Sequence, residues 1–254
     1  MTTIKSTNNE IIKHYRSLIQ TKKRHELNEH VIEGEKLVSE AFASGIIVKK
    51  LFIEEHRDDL ISSYKNYVPI SLVSKTVLNY MSGAVTPQDI CAIVETPSYC
   101  FDSIRDVSFV VALDTVQDPG NVGTIIRTSD ALGVGGILIG EGCADPYSLK
   151  AIRASMGSAY HFPVIMCDDL KSSISELKSN GYQLICGHLE GTEAFPVLSN
   201  RIVCIIGNEG NGVSGDISDQ CYLYKIPMKG KAESLNAAVA AALLIYQISL
   251  NHSS

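Results

Sequence analysis

Five side chains in the second half of the chain have the types and spacing to hold a polar ligand and stabilise charge on it: Arg127, Glu209 and the amides Asn121, Asn208 and Asn236. They fall in three short segments. These are Asp118-Pro119-Gly120-Asn121-Val122-Gly123 with Arg127, then Gly207-Asn208-Glu209-Gly210-Asn211-Gly212, then Ile226-Pro227-Met228 with Ser234-Leu235-Asn236. Glycine permits φ > 0 and close backbone approach to a ligand. An amide side chain carries paired donors and acceptors, and a guanidinium keeps its charge. No member of the set is an activated nucleophile, so the chemistry is positioning and electrostatic stabilisation rather than covalent attack by the protein.

Each segment begins where an apolar run stops. Residues 108–114, 136–139, 183–186, 201–206 and 222–226 are near-continuous apolar stretches, the pattern of strands buried on both faces of a parallel sheet. Residues 122–132, 147–156, 170–180 and 232–250 read as the intervening helices, with Ser234 at the start of the last as an N-cap. Strand and helix alternate as in the α/β class, and in open parallel sheets ligands bind at the carboxyl ends of strands. Arg127, one or two turns beyond Gly123, is placed by this reading near a helix N-terminus that favours anions.

The first hundred residues have a different texture. A basic amphipathic helix is expected over 10–24, a strand and turn over 31–34, a helix over 35–44 stopped by Gly45, and short strands over 48–54, 68–73 and 90–95. Thr96-Pro97-Ser98 is the linker signal, which divides the chain into domains at 1–97 and 98–254.

Composition sets bounds. With 45 % apolar and 20 % charged residues in 254, the chain is an ordinary globular protein able to bury a core. Its formal net charge of −6 opposes phosphate binding, yet residues 1–24 carry a net +5, so an acidic total conceals a basic edge. The seven cysteines are widely spaced and form no zinc or redox pattern, as expected of reduced thiols in the cytoplasm. No signal-peptide core or bilayer-length apolar stretch is present. His161 and His188 lie near strand ends without ligand spacing, so no metal is expected. Gly210-Asn211-Gly212-Val213-Ser214-Gly215 matches the glycine pattern of dinucleotide-binding turns, but too little chain follows to complete that fold.

Taken in order and with their strand context, the three segments resemble the signature motifs of the SpoU branch of the SPOUT superfamily, the RNA ribose 2′-O-methyltransferases. The resemblance covers about residues 108–250. A fainter similarity extends forward: Lys22-Lys23-Arg24, Glu33-Gly34, Val38 and Glu40-Ala41 resemble the start of the family's accessory RNA-binding domain, an α/β module like certain ribosomal proteins, and Thr86-Pro87-Gln88 resembles its end. Asp89 stands where the family commonly has glycine, and Ala237-Ala238 where it often has Val-Ser.

What the resemblance implies is an α/β catalytic domain with a parallel sheet tied in a trefoil knot, preceded by the smaller α/β domain, and a homodimer. S-adenosylmethionine would be held by Gly207, Ile226 and Leu235, with Met228, Asn236 and Gly187-His188-Leu189 nearby. The expected reaction is methyl transfer to a ribose 2′-hydroxyl of structured RNA. Arg127 would bind a phosphate or stabilise the forming alkoxide, or act as the base; Asn121 and Glu209 would orient it, and Ser234 and Asn236 would hold substrate or cofactor. Lys22, Lys23, Arg24, Arg127, Arg153, Lys229 and Lys231 are the candidate RNA contacts. Ribosomal RNA is favoured over transfer RNA, with an antibiotic-resistance methyltransferase and a knotted RNA-binding protein without turnover as the alternatives.

Overall fold

The computed structural model describes residues 2–82 and 87–252, which form two compact units. The first comprises the chain up to Pro97 together with Tyr147–Tyr160; the second comprises Ser98–Pro146 and the chain from His161 onward. The stretch 147–160, which the linker-based division leaves in the second domain, therefore packs in the first unit.

In the first unit α1 (Glu10–Ser17), α2 (Thr21–Leu27), β1 (Glu29–Glu33), α3 (Glu35–Ala43), β2 (Val48–Glu54), α4 (Asp58–Tyr64), β3 (Ile70–Val73), α5 (Lys75–Met81) and β4 (Ile90–Glu95) follow one another. The sheet runs β1-β4-β2-β3, with only the β2 and β3 pair parallel. One face packs on Ile12 and Tyr15 from α1, on Leu18 at its C-cap, and on Val77, Leu78 and Met81 from α5. The single helix expected over 10–24 is two helices. Arg24 explains the break: buried to 3 % exposure, its Nη1 donates to the carbonyls of Leu18 (2.9 Å) and Ile19 (2.7 Å), and its Nη2 to Thr21 Oγ1 (2.9 Å). Those carbonyls are otherwise orphaned where α1 ends. The helix at Leu149–Ser155 packs beside β1, and its Arg153 forms an ion pair with the buried carboxylate of Glu33. Glu33 also accepts from Ser82 Oγ at 2.8 Å and Tyr15 at 3.4 Å.

In the second unit β5 (Phe109–Leu113), α6 (Pro119–Ala131) and β6 (Gly136–Ile139) precede that helix, numbered α7, and β7 (Val164–Met166), α8 (Leu170–Ser179), β8 (Gln183–Thr192), β9 (Ile202–Ile206), α9 (Gly215–Ser218), β10 (Tyr222–Tyr224) and α10 (Ala237–Asn251) follow it. The six strands lie in the order β10-β8-β9-β5-β6-β7 and every pairing is parallel. β5 and β9 are buried along their whole length at its centre.

Three helix starts differ from the sequence reading, α7 only slightly, at Leu149 rather than 147. α6 begins at Pro119 rather than 122, because Asp118 Oδ1 accepts from the N–H groups of Gly120 (2.7 Å) and Asn121 (3.1 Å), and proline suits the first helical position. Asp-Pro-Gly-Asn is thus the first turn of the helix. Arg127 consequently lies more than two turns in, beyond the reach of the terminal dipole. α10 begins at Ala237 rather than 232, capped by Asn236 and not Ser234; Asn236 Oδ1 accepts from Ala238 N at 2.9 Å and Val239 N at 3.3 Å.

Candidate active site

All three motif segments emerge from carboxyl ends of sheet strands, after β5, β9 and β10. Side chains then tie them together. Asn121 Nδ2 donates to Glu209 Oε1 at 2.8 Å, and Asn236 Nδ2 donates to Asn121 Oδ1 at 3.1 Å. An ionised carboxylate only accepts, so Glu209 fixes which end of the Asn121 amide faces it, and Asn236 completes the same assignment from the other side. Glu209 also accepts from the backbone N–H of Gln117 and Asp118, each at 3.4 Å. Partial burial pushes its carboxyl pKa up, but the hydrogen bond from Asn121 and those from the backbone outweigh this, and the net displacement is below the ordinary glutamate value.

Asn208 does something other than hold a ligand. Its Nδ2 donates to Thr115 O at 2.9 Å, and its Oδ1 accepts from Gly210 N at 2.9 Å and Asn211 N at 3.1 Å. Both ends of the amide are therefore engaged by backbone. Thr115, a β-branched residue at φ +56°, is a conformation that needs such support. Asn208 thus sets the path of the loop on which Glu209 sits and ties it to the loop after β5.

Beside this network lies a cavity of about 620 Å³, within the usual range for small-molecule sites. The strand register creates it. β10 pairs with Ile185 and Cys186 of β8 and then, from Leu223 to Tyr224, jumps to Thr192, so residues 187–191 leave the ladder between the two pairings. Residues 187–190 form one wall; 205–212, 224–226, Met228 and 233–235 form others, and Ala237, Ala240 and Leu244 of α10 close it. Gly207 has no room for a side chain: a Cβ there would lie 2.1 Å from the carbonyl carbon of Gly212. The loop folds back on itself at contact distance beside the cavity, with Asn208 and Gly212 paired antiparallel.

The residues singled out from sequence are distributed as follows. Gly187, His188, Leu189, Gly207, Ile226, Met228, Leu235, Glu209 and Ser234 line the cavity. Asn121 and Asn236 are joined to Glu209 outside that lining, and the amide oxygen of Asn236 caps α10 instead of facing a cofactor. Arg127 is exposed on α6, with no ion pair or side-chain hydrogen bond among the described residues. Lys229 and Lys231 are exposed on the loop after β10, and Lys22 is exposed on α2, while Lys23 pairs with Glu26 at 2.8 Å. Arg24 is corrected from RNA contact to structural cation, since its guanidinium is buried on main-chain carbonyls. Arg153 is held by Glu33 within the first unit. Thr86 lies outside the described residues. Sequence reading missed Glu190, Lys225, Glu233, Ala240 and Leu244 as lining residues. The spacing of Ala237, Ala240 and Leu244, one face of a helix, was the available signal.

Residues 108–246 match the model of the SpoU rRNA methylase family, and residues 9–92 match that of the MRM3-like substrate binding domain. The chain belongs to the SpoU rRNA methylase family. It is 34 % identical over 251 residues to the 23S rRNA (guanosine(2553)-2′-O)-methyltransferase RlmP of Bacillus subtilis, covering 98 % of this chain and 99 % of that one. An AdoMet-bound rRNA methyltransferase from Sinorhizobium meliloti superposes with a TM-score of 0.86 at 30 % identity, covering 100 % of this chain and 99 % of that one. The SpoU methyltransferase AviRb from Streptomyces viridochromogenes, in complex with AdoMet, superposes with a TM-score of 0.85 at 27 % identity, covering 96 % and 98 % of the two chains. The fold is accordingly an α/β SPOUT-type methyltransferase unit with a smaller N-terminal α/β unit.

As a SpoU-family member the chain is an RNA 2′-O-methyltransferase that uses S-adenosylmethionine. The cavity suits that cofactor. Ile205, Ile206, Ile226, Met228, Leu235 and Leu244 offer apolar surface for a purine and a thioalkyl chain, while Glu190, Glu209 and Glu233 bring carboxylates toward a ligand that carries cationic centres.

Proposed function

We propose that this protein methylates a guanosine ribose of 23S ribosomal RNA. The substrate reading is supported by likeness to RlmP across nearly the whole of both chains, the substrate-binding unit included. The observation that carries the mechanism is the continuous link Glu209, Asn121, Asn236, one residue from each motif, standing beside the cavity.

Bound S-adenosylmethionine supplies an electrophilic methyl group on a sulfonium. The chain must then position a 2′-oxygen in line with it, so that the O–C bond forms as the S–C bond breaks and S-adenosylhomocysteine leaves, and stabilise the charge that develops as the hydroxyl proton passes to solvent water. Arg127 is the cation for this role: permanently charged, exposed and unengaged by any carboxylate among the described residues. A guanidinium does not readily give up its proton, so Arg127 binds a flanking phosphate and stabilises the alkoxide electrostatically rather than serving as the base. Glu209 and Asn236 hold Asn121 between them on the first turn of the same helix, which fixes the edge that faces the ribose. Alignment of this kind supplies a large share of the acceleration in displacement reactions. Ser234 lies on the cavity wall where cofactor and substrate would meet.

The working form is read as a homodimer. Val239, Leu243, Tyr246 and Leu250 recur at helical spacing along α10 and are 48 %, 46 %, 51 % and 63 % exposed, an apolar stripe that a second copy of the chain would cover. The cytoplasm is the compartment that fits seven unpaired cysteines.

Tritium transfer from labelled S-adenosylmethionine to 23S ribosomal RNA and, separately, to transfer RNA tests the reading. Label is expected in the first pool as a 2′-O-methylguanosine after nuclease digestion, and to disappear with Arg127→Ala at unchanged cofactor affinity. Label confined to transfer RNA would overturn the substrate, and full activity in Arg127→Ala would overturn the mechanism.

A further inference from the structure

In the first unit the guanidinium carbon of Arg16 lies 5.1 Å from the centroid of the Tyr80 ring, and that tyrosine is 47 % exposed. Arg16 lies on α1 and Tyr80 in the last turn of α5. Neither is needed to close the core, which these two helices, with Leu18 at the C-cap of α1, cover with Ile12, Tyr15, Val77, Leu78 and Met81. What the pair presents to solvent is a planar cation braced against an aromatic ring.

The surrounding charge narrows the partner. Residues 1–24 carry a net +5 in a chain whose total is −6; Arg24 of this arm is buried and Lys13 and Lys23 pair with Glu10 and Glu26, while Lys5 and Lys22 are exposed. A polyanion is drawn to this edge and repelled by the rest. Among polyanions, one that also offers flat aromatic faces matches both halves of the pair. Unpaired bases of RNA stack on tyrosine rings and on arginine planes, whereas paired bases hide those faces inside the helix. Tyr67 supplies an internal contrast: it is 78 % exposed in the same unit and has no cation over its ring among the described residues.

We propose that Arg16 and Tyr80 form a stacking step for an unpaired base of the RNA substrate, an inference that rests on reading the first unit as the RNA-binding part of the enzyme. The cation–π contact holds the ring before RNA arrives, so little side-chain freedom is lost on binding.

The test is equilibrium binding of the full-length protein to a labelled 23S ribosomal RNA transcript across a salt series, with thermal melts to confirm folding. Tyr80→Ala and Tyr80→Leu are expected to weaken binding about 5- to 150-fold, the span of one stacked base. Tyr80→Phe and Tyr67→Ala should bind as the parent does. Arg16→Gln, which removes the cation braced against the ring, should also weaken binding. Parent-like binding by Tyr80→Leu would overturn the stacking step while leaving RNA binding by the unit intact. Absence of binding by the parent protein at every salt concentration would instead overturn the reading on which the step rests.

Discussion

Asn121 and Glu209, 88 positions apart in sequence, meet through a 2.8 Å hydrogen bond in which the amide nitrogen donates to the carboxylate. The contact joins the first turn of α6, which follows β5, to the loop after the neighbouring strand β9, and it works only because one partner is neutral. Asn121→Asp would set a second carboxylate against the first, and two carboxylates at that distance must share a proton. Methyl transfer is expected to fall about 100-fold near neutrality, the scale of a misaligned reacting group. Activity should recover in part as the pH is lowered and the shared proton restores the bond. A pH profile of single-turnover rate checks this; a profile parallel to that of the parent would show that the contact does not set the alignment.

Gly207 is required by the path of the chain. A methyl group there would meet the backbone of Gly212 and Val213 at 2.1–2.3 Å, whereas at Gly210 the nearest atom is Asn208 Oδ1 at 3.5 Å. Gly207→Ala therefore forces backbone apart, an overpacking that costs about 1–3 kcal/mol and lowers Tm by roughly 2–12 °C. Gly210→Ala should leave Tm within a degree or so of the parent. Calorimetry on the two variants, with cofactor affinity measured alongside, distinguishes a close backbone contact at Gly207 from a general intolerance of the loop.

The contrast between these glycines also shows what the sequence could and could not reveal. Strands ending in Gly-Asn clusters are visible one at a time, and three in the right order mark a site. The β8 excursion at residues 187–191 was invisible, because the apolar run stops at Cys186, whereas the strand continues to Thr192, where it pairs with Tyr224. Lys22, Lys23 and Arg24 are equivalent in a linear reading, and only the carbonyls left open where α1 ends decide that Arg24 turns inward. Asp118-Pro119 did carry a helix-start signal, masked by Gly120 and Gly123, which lower helix propensity. No local pattern could place 147–160 in the first unit, since Glu33, the partner of its Arg153, lies 120 positions earlier.

His30 makes the first unit sensitive to acid. It is fully buried, with Nδ1 3.0 Å from Thr96 Oγ1 and Nε2 2.7 Å from Tyr160 Oη; burial first, and the charge of Arg24 second, lower its pKa from 6.5 to about 3. Between those values the unfolded chain binds a proton that the native chain does not. This stability is therefore complete above 6.5 and declines as pH falls toward 3. Each pH unit within the window removes up to about 1.4 kcal/mol. Urea unfolding at several pH values should show the decline, and His30→Asn should reduce its slope by one proton. An unchanged slope would mean that other groups account for the acid sensitivity.

Leu243 sits at the middle of the exposed α10 stripe, while Ala241, Leu244 and Ile245 on the opposite side of the helix are buried. A charge at 243 should therefore leave the fold of the protomer intact and act on whatever covers the stripe. If a second copy does, Leu243→Glu places like charges in an apolar contact, a penalty that no rearrangement at its centre relieves. The parent is expected to sediment as a dimer and the variant as a monomer with unchanged far-ultraviolet dichroism. Ala240 and Leu244, on the same helix, line the cavity, so loss of the partner should also weaken S-adenosylmethionine binding as the helix loosens. Dimeric sedimentation of Leu243→Glu would move the interface off this stripe; a monomeric parent would remove the assignment altogether.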